Sequence, residues 1–167
     1  MIVEGMVTSV DASGVVNIAP MGPAVADDFT SLVLRPFPTS TTCANLLRDG
    51  QGVFHVTDDV ELIARAAVGR LAPPPRVERL PDRDCFVLPD ACRWYAFAVR
   101  SVDTSQPRVR FECDVTARGT LRDFLGFNRA KHAVVEAAIL ATRVKLLSAD
   151  SIRDELARLQ VIVDKTA

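Results

Sequence analysis

No charge of either sign dominates the 167-residue chain, whose formal net charge is -1. Without a long-range basic field, neither nucleic acid nor an anionic membrane surface is gathered to it, so a partner must be recognised locally. Long apolar runs are missing too. The longest one near the C-terminus, Ala133 to Thr142, is interrupted by Glu136 and falls far short of the ~20 residues that span a bilayer. Met1-Ile2-Val3-Glu4-Gly5 lacks the basic and apolar stretches of a signal peptide, which predicts a soluble, cytoplasmic protein. Cysteines are few, and Cys43, Cys85, Cys92 and Cys113 form no C-x-x-C pair. The two histidines, His55 and His132, lie far apart, so zinc-site spacing is absent, no metal is expected, and the cysteines read as small core hydrophobes. Trp94 and Tyr95 are the only residues of their types and read as core or interface anchors. A nucleophile elbow, a Walker loop and G-x-G-x-x-G are all lacking, which leaves hydrolase, P-loop and Rossmann readings without their residues.

What is present points to one domain with a small appended unit. Ile2 to Val10 and Val15 to Ala19 are β-rich runs joined by Asp11-Ala12-Ser13-Gly14, the pattern of a hairpin. Leu32 to Leu34 reads as a third strand stopped by Pro36, and Gly52 to Val56 as a fourth,. Thr42 to Asp49 fits a short helix ended by Gly50, and Asp58 to Val68 a second, capped by Asp58 or Asp59,. Leu71 to Pro89 contains Pro73-Pro74-Pro75 and reads as an irregular surface excursion. Two long strands follow, Arg93 to Asp103 and Arg108 to Thr116. In the second, Val109, Phe111, Cys113 and Val115 alternate with charged residues, as in a half-buried antiparallel strand. From Leu121 the period changes, predicting helices over Phe124 to Leu147 and Asp150 to Asp164,. Strands first and helices last give an α+β fold, mainly β.

Three stretches carry chemistry. In Leu34-Arg35-Pro36-Phe37-Pro38-Thr39-Ser40-Thr41-Thr42-Cys43-Ala44-Asn45 a strand end presents an arginine, four hydroxyl residues follow, and a helix begins. Helix N-termini expose unpaired N–H groups that bind phosphate, and Arg35 adds a charge-assisted clamp. Plain N-capping beside a solvated arginine explains the same residues. In Asn17-Ile18-Ala19-Pro20-Met21-Gly22-Pro23 the chain turns where Gly22 lets backbone approach a planar ligand. An ordinary strand-ending loop fits as well. On the first C-terminal helix, Arg129, His132, Glu136 and Arg143 fall within roughly 60° of one another at ~100° per residue. His132 and Glu136 are the candidate acid/base pair of this stripe, against the alternative of a salt-bridged, solvated face.

These stretches resemble a known family. Glu4-Gly5, Asn17-x-Ala19-Pro20-Met21-Gly22, Leu34-Arg35-Pro36-Phe37, Ser40-x-Thr42-x-x-Asn45-Leu46 and Val56-Thr57-Asp58-Asp59 are similar to landmarks of an uncharacterised group of flavin-reductase-like split-barrel proteins. Ala91-Cys92-Arg93-Trp94-Tyr95 and Asn128 to Ala137 match later ones, in order along nearly the whole chain. The resemblance implies a six-stranded FMN-binding split β-barrel over 1–118 and a C-terminal helical hairpin over 119–167 packed on it. It further implies a homodimer with FMN at the subunit interface. Carried over, Met21 and Gly22 border the flavin ring, Arg35, Ser40, Thr41, Thr42 and Asn45 approach the phosphate, and Asn17, Pro36 and Phe37 complete the cofactor site. The implied activity is that of an FMN-dependent oxidoreductase, with a pterin-type substrate of tetrahydromethanopterin-linked one-carbon metabolism as one acceptor. A non-catalytic flavin-binding or assembly protein, whose helical extension docks a partner, is the competing reading, and a relative that has lost flavin is a third.

Overall fold

The protein is described by a computed structural model over residues 1–81 and 83–167. Asp82, inside the Leu71 to Pro89 excursion, lies outside the described residues. In chain order the elements are β1 (Gly5–Val10), β2 (Val16–Met21), β3 (Ala24–Val25), β4 (Ser31–Leu34), α1 (Thr41–Asp49), β5 (Gln51–Val56) and α2 (Val60–Ala67). There follow β6 (Glu78–Arg79), β7 (Phe86–Val87), β8 (Arg93–Asp103), β9 (Arg110–Thr120), α3 (Arg129–Ala141) and α4 (Ala149–Thr166). They form two compact units. The first contains Met1–Thr57 and Pro75–Asp123, the second Asp58–Pro74 and Phe124–Ala167.

The first unit is built on one antiparallel sheet in the order β2-β1-β5-β8-β9-β4-β3. It has seven strands where six were expected, because Ala24–Val25 adds a short strand beside β4. That strand is too brief to show a period-2 pattern. It is held from outside: Val3 N–H donates to Pro23 O at 3.1 Å, Val25 N–H to Met1 O at 2.8 Å, and Ile2 bridges Ala24. The segment leading into β1 thereby ties the far edge back, and the sheet curls on itself. The excursion is not wholly irregular either, since β6 and β7 pair within it and Thr8 Oγ1 donates to Phe86 O at 2.5 Å.

The alternation read in β9 is what fills the interior. Phe111 and Cys113 are fully buried with Val7, Leu32, Leu34, Leu46, Phe54 and Phe97. The intervening Glu112 and Asp114 meet Arg100 on the outer face, at 3.3 and 2.9 Å. Burial of each large apolar side chain is worth about 1.5–3 kcal/mol, whereas such exposed ion pairs add little. Close strand approach also needs small residues. A Cβ on Gly5 would stand 2.1 Å from His55 O, so only glycine fits there.

In the second unit three helices pack, α3 against both α2 and α4. Each start is capped: Asp59 Oδ1 accepts from Leu62 N–H, Asn128 Oδ1 from Lys131 N–H and Ser148 Oγ from Ser151 N–H,. Asn128 also donates to Thr166 O at 3.0 Å, which ties the start of α3 to the end of α4. Ala130, Ala133 and Ala138 are buried, and their small size permits close helix contact. α3 spans Arg129–Ala141 and not the expected Phe124 to Leu147. Gly126 at φ 93° breaks the chain before the Asn128 cap. No helix among the described residues is long and apolar enough to cross a membrane.

Candidate functional site

The hydroxyl-rich stretch folds as its residue types dictate. Ser40 is the N-cap of α1, its Oγ accepting from Cys43 N–H at 3.1 Å and donating to Phe37 O at 2.8 Å. Gly50, at φ 63°, ends the helix with its N–H on Leu46 O, as a left-handed C-terminal residue should. Thr42 and Asn45 are buried and turned toward the sheet. Asn17 Nδ2 donates to Thr42 Oγ1 at 3.0 Å, and Asn45 Nδ2 to Ser9 Oγ at 3.0 Å. Asn17, Thr42 and Asn45 are thus brought together around Ser9, a residue that carried no sequence signal because its partners are distant in the chain. This polar joint locks α1 onto β1 and β2.

Thr41 differs from its neighbours, being exposed at the first position of α1. Among the described residues, the Thr41 and Thr42 amides donate to no acceptor. The N-terminus of α1 therefore offers two bare N–H groups and a hydroxyl, a donor set that fits an anionic oxygen cluster.

Met21 ends β2, half-buried against the core. Gly22 follows in the open, where a Cβ would meet Glu4 Oε1 at 2.8 Å. Pro36 is buried and accepts from Val109 N–H at 3.2 Å, while Phe37 is exposed with the Arg108 guanidinium 4.1 Å from its ring centre. Arg35 lines a pocket of about 450 Å³ with Asp103, Gln106, Pro107, Arg108 and Arg110. None of Ser40, Thr41, Thr42 or Asn45 lines it.

The helical stripe is open to solvent: Arg129, His132, Glu136 and Arg143 are all exposed, and Arg143 lies beyond the end of α3. His132 stands edge-on to the Phe127 ring at 5.8 Å between centres. Behind the preceding loop Asp58 is buried, accepting from Leu125 N–H at 2.9 Å with Lys131 Nζ at 4.0 Å. No group of three or more His, Cys, Asp or Glu gathers among the described residues. All four cysteines are buried thiols, and burial pushes Cys113 up to about 12.

Two family descriptions match the sequence, "Protein of unknown function (DUF447) N-terminal domain" over residues 3–122 and "Protein of unknown function (DUF447)" over 128–167. The chain belongs to the DUF447 family. A solved DUF447 protein from Methanosarcina mazei, described as FMN-bound, superposes with a TM-score of 0.84 at 22% identity, covering 99% of this chain and 86% of that one. The flavin reductase of styrene monooxygenase from Pseudomonas putida gives 0.58 at 13% identity, over 72% of this chain and 82% of that one. Flavoredoxin from Methanosarcina acetivorans gives 0.61 at 8% identity, over 71% and 68%. No curated protein sequence matches. The DUF447 chain thus has the flavin-reductase-like split β-barrel with its added helices, the α+β, mainly β fold expected.

Proposed function

We propose that this DUF447 protein binds FMN and acts as an oxidoreductase of flavin-reductase type, as a homodimer. The observation that carries the reading is the likeness, along 99% of the chain, to a family member described as FMN-bound. The donor set at the start of α1 supports it. Thr41 and the amides of Thr41 and Thr42 suit the flavin phosphate, with Ser40, Thr42, Asn45 and Asn17 holding that helix end in place. Arg35, Pro36 and Phe37 lie on the segment leading into α1, and Met21 and Gly22 form the open turn against which the isoalloxazine is expected. When bound, FMN supplies hydride or electron transfer itself, and the chain's part is to hold and orient it.

The test is direct. Purified protein is expected to take up FMN with quenched flavin fluorescence and, without oxygen, to bleach with NADH or NADPH. No uptake at high micromolar FMN ends the reading. Adding a pterin-type acceptor of tetrahydromethanopterin-linked one-carbon metabolism to the reduced protein tests the substrate class that the family resemblance implies.

The exposure of His132 and Glu136 favours a second reading for the helical unit, in which it docks a partner and the flavin is carried without turnover. Stable FMN that resists both nicotinamide donors is the outcome that selects it.

A further inference from the structure

The pocket between the end of β4 and the β8–β9 hairpin gathers like charge. Arg35, Arg108 and Arg110 line it against a single carboxylate, Asp103. That carboxylate is already engaged by Ser105 N–H at 2.8 Å. Arg110 is partly compensated by Glu112 at 2.9 Å. Arg35 and Arg108, among the described residues, have no carboxylate partner. Guanidiniums that share a pocket repel one another unless an anion sits between them. Arg108 is moreover held over Phe37, its guanidinium carbon 4.1 Å from the centre of the ring. A cation–π contact of this kind restrains the side chain without neutralising its charge.

We propose that this pocket is a second anion site, distinct from the flavin phosphate, that binds the phosphate or pyrophosphate end of a phosphorylated organic molecule. Arginine forks match phosphate oxygens bidentately. The volume of about 450 Å³ lies within the range of small-molecule sites, ~300–1,000 Å³, and exceeds what a lone phosphate fills. The Gln106 amide and the Asp103 carboxylate add a donor and an acceptor for the uncharged part. The proposal takes Arg35, expected from the sequence at the flavin phosphate, into this pocket instead, and it needs no bound flavin.

Inorganic pyrophosphate is the probe, titrated calorimetrically into the full chain at low salt, with and without saturating FMN. Binding is expected in both cases, weakening as salt is raised. Arg108→Gln alters an exposed side chain outside the core and the flavin donor set. It is expected to weaken pyrophosphate about tenfold or more, while FMN uptake, read by fluorescence, is unchanged. Absence of pyrophosphate binding overturns the proposal, as does full affinity in Arg108→Gln. Loss of pyrophosphate binding on FMN loading also overturns it, since the pocket then belongs to the flavin phosphate. A protein that binds pyrophosphate yet takes no FMN keeps this site and removes the flavin one.

Discussion

His55 lies next to the end of β5, fully buried, with Nδ1 donating to Met6 O at 3.2 Å and Nε2 accepting from Leu88 N–H at 3.1 Å. The two contacts fix one neutral tautomer, because Nε2 must keep its lone pair for the Leu88 amide. Burial pushes its pKa down to about 4, outweighing the opposing pull of Met6 O. The unfolded chain takes up this proton near the ordinary value of 6.5, so stability from the neutral ring is complete above that pH and falls as pH drops toward 4. At pH 5 the loss amounts to about 2 kcal/mol. Urea unfolding at pH 7.5 and 5.0 is expected to show that difference, and His55→Gln to show a flatter dependence. The window is clean on the acid side. Asp11, Asp49 and Glu112 are held below their ordinary values by hydrogen bonds from Ser13, Arg48 and Arg110 respectively, so what they contribute is lost only as pH falls through the carboxylate range. A pH-independent wild type would mean that the ring is not held neutral.

At the scale of elements, β1 and β5 pair with Met6 opposite His55, and Gly5 stands where the two strands come closest. With His55 O only 2.1 Å from a Cβ at that position, Gly5→Ala has to push backbone aside. Overpacking of this kind costs about 1–3 kcal/mol, and backbone cannot yield as a side chain can, so the upper end is expected, read as a lowered urea midpoint. A midpoint unchanged from wild type would show that the strands part freely. Gly5 was visible in the sequence only as part of a landmark; the reason for it is a long-range approach that no local pattern encodes. The same division runs through the fold. Patterns that repeat, such as Val109-Phe111-Cys113 in β9, or that end an element, such as Gly50 after α1, could be read because their physics is local, and the hydroxyl run before α1 announced a cap without saying that Ser40 is the one. β3, β6 and β7 could not, being two residues each and set by pairing alone. Phe124, Leu125 and Phe127 mimicked a helix face although they lie in a loop. At the candidate site, the α1 start was legible, whereas Ser9 and the meeting of Arg35 with Arg108 and Arg110 were not. That meeting follows from β4 pairing with β9, Leu34 opposite Phe111, across a long stretch of chain.

For the molecule as a whole, the question is what covers the apolar surface of the helical unit. Leu125 is 79% exposed and Phe127 91%, the half-exposed Phe124 ring lies 6.5 Å from that of Phe127, and α4 buries no residue. Soluble monomers seldom leave such side chains clustered in water, and covering them yields ~25 cal/mol per Å². A specific dimer hides roughly 800 Å² on each partner, so three large side chains supply only the centre of an interface and flanking residues must join. Sedimentation at micromolar concentration is expected to give twice the chain mass. Phe127→Lys, which removes an exposed ring and leaves the core untouched, is expected to shift the protein toward monomer with its circular dichroism unchanged. The cofactor then reports on where it is held: if FMN sits between subunits, the monomeric variant loses it, and if one chain alone forms the site, the variant stays yellow. A wild type that sediments as a monomer would leave the homodimer without support and hand the exposed rings to another partner.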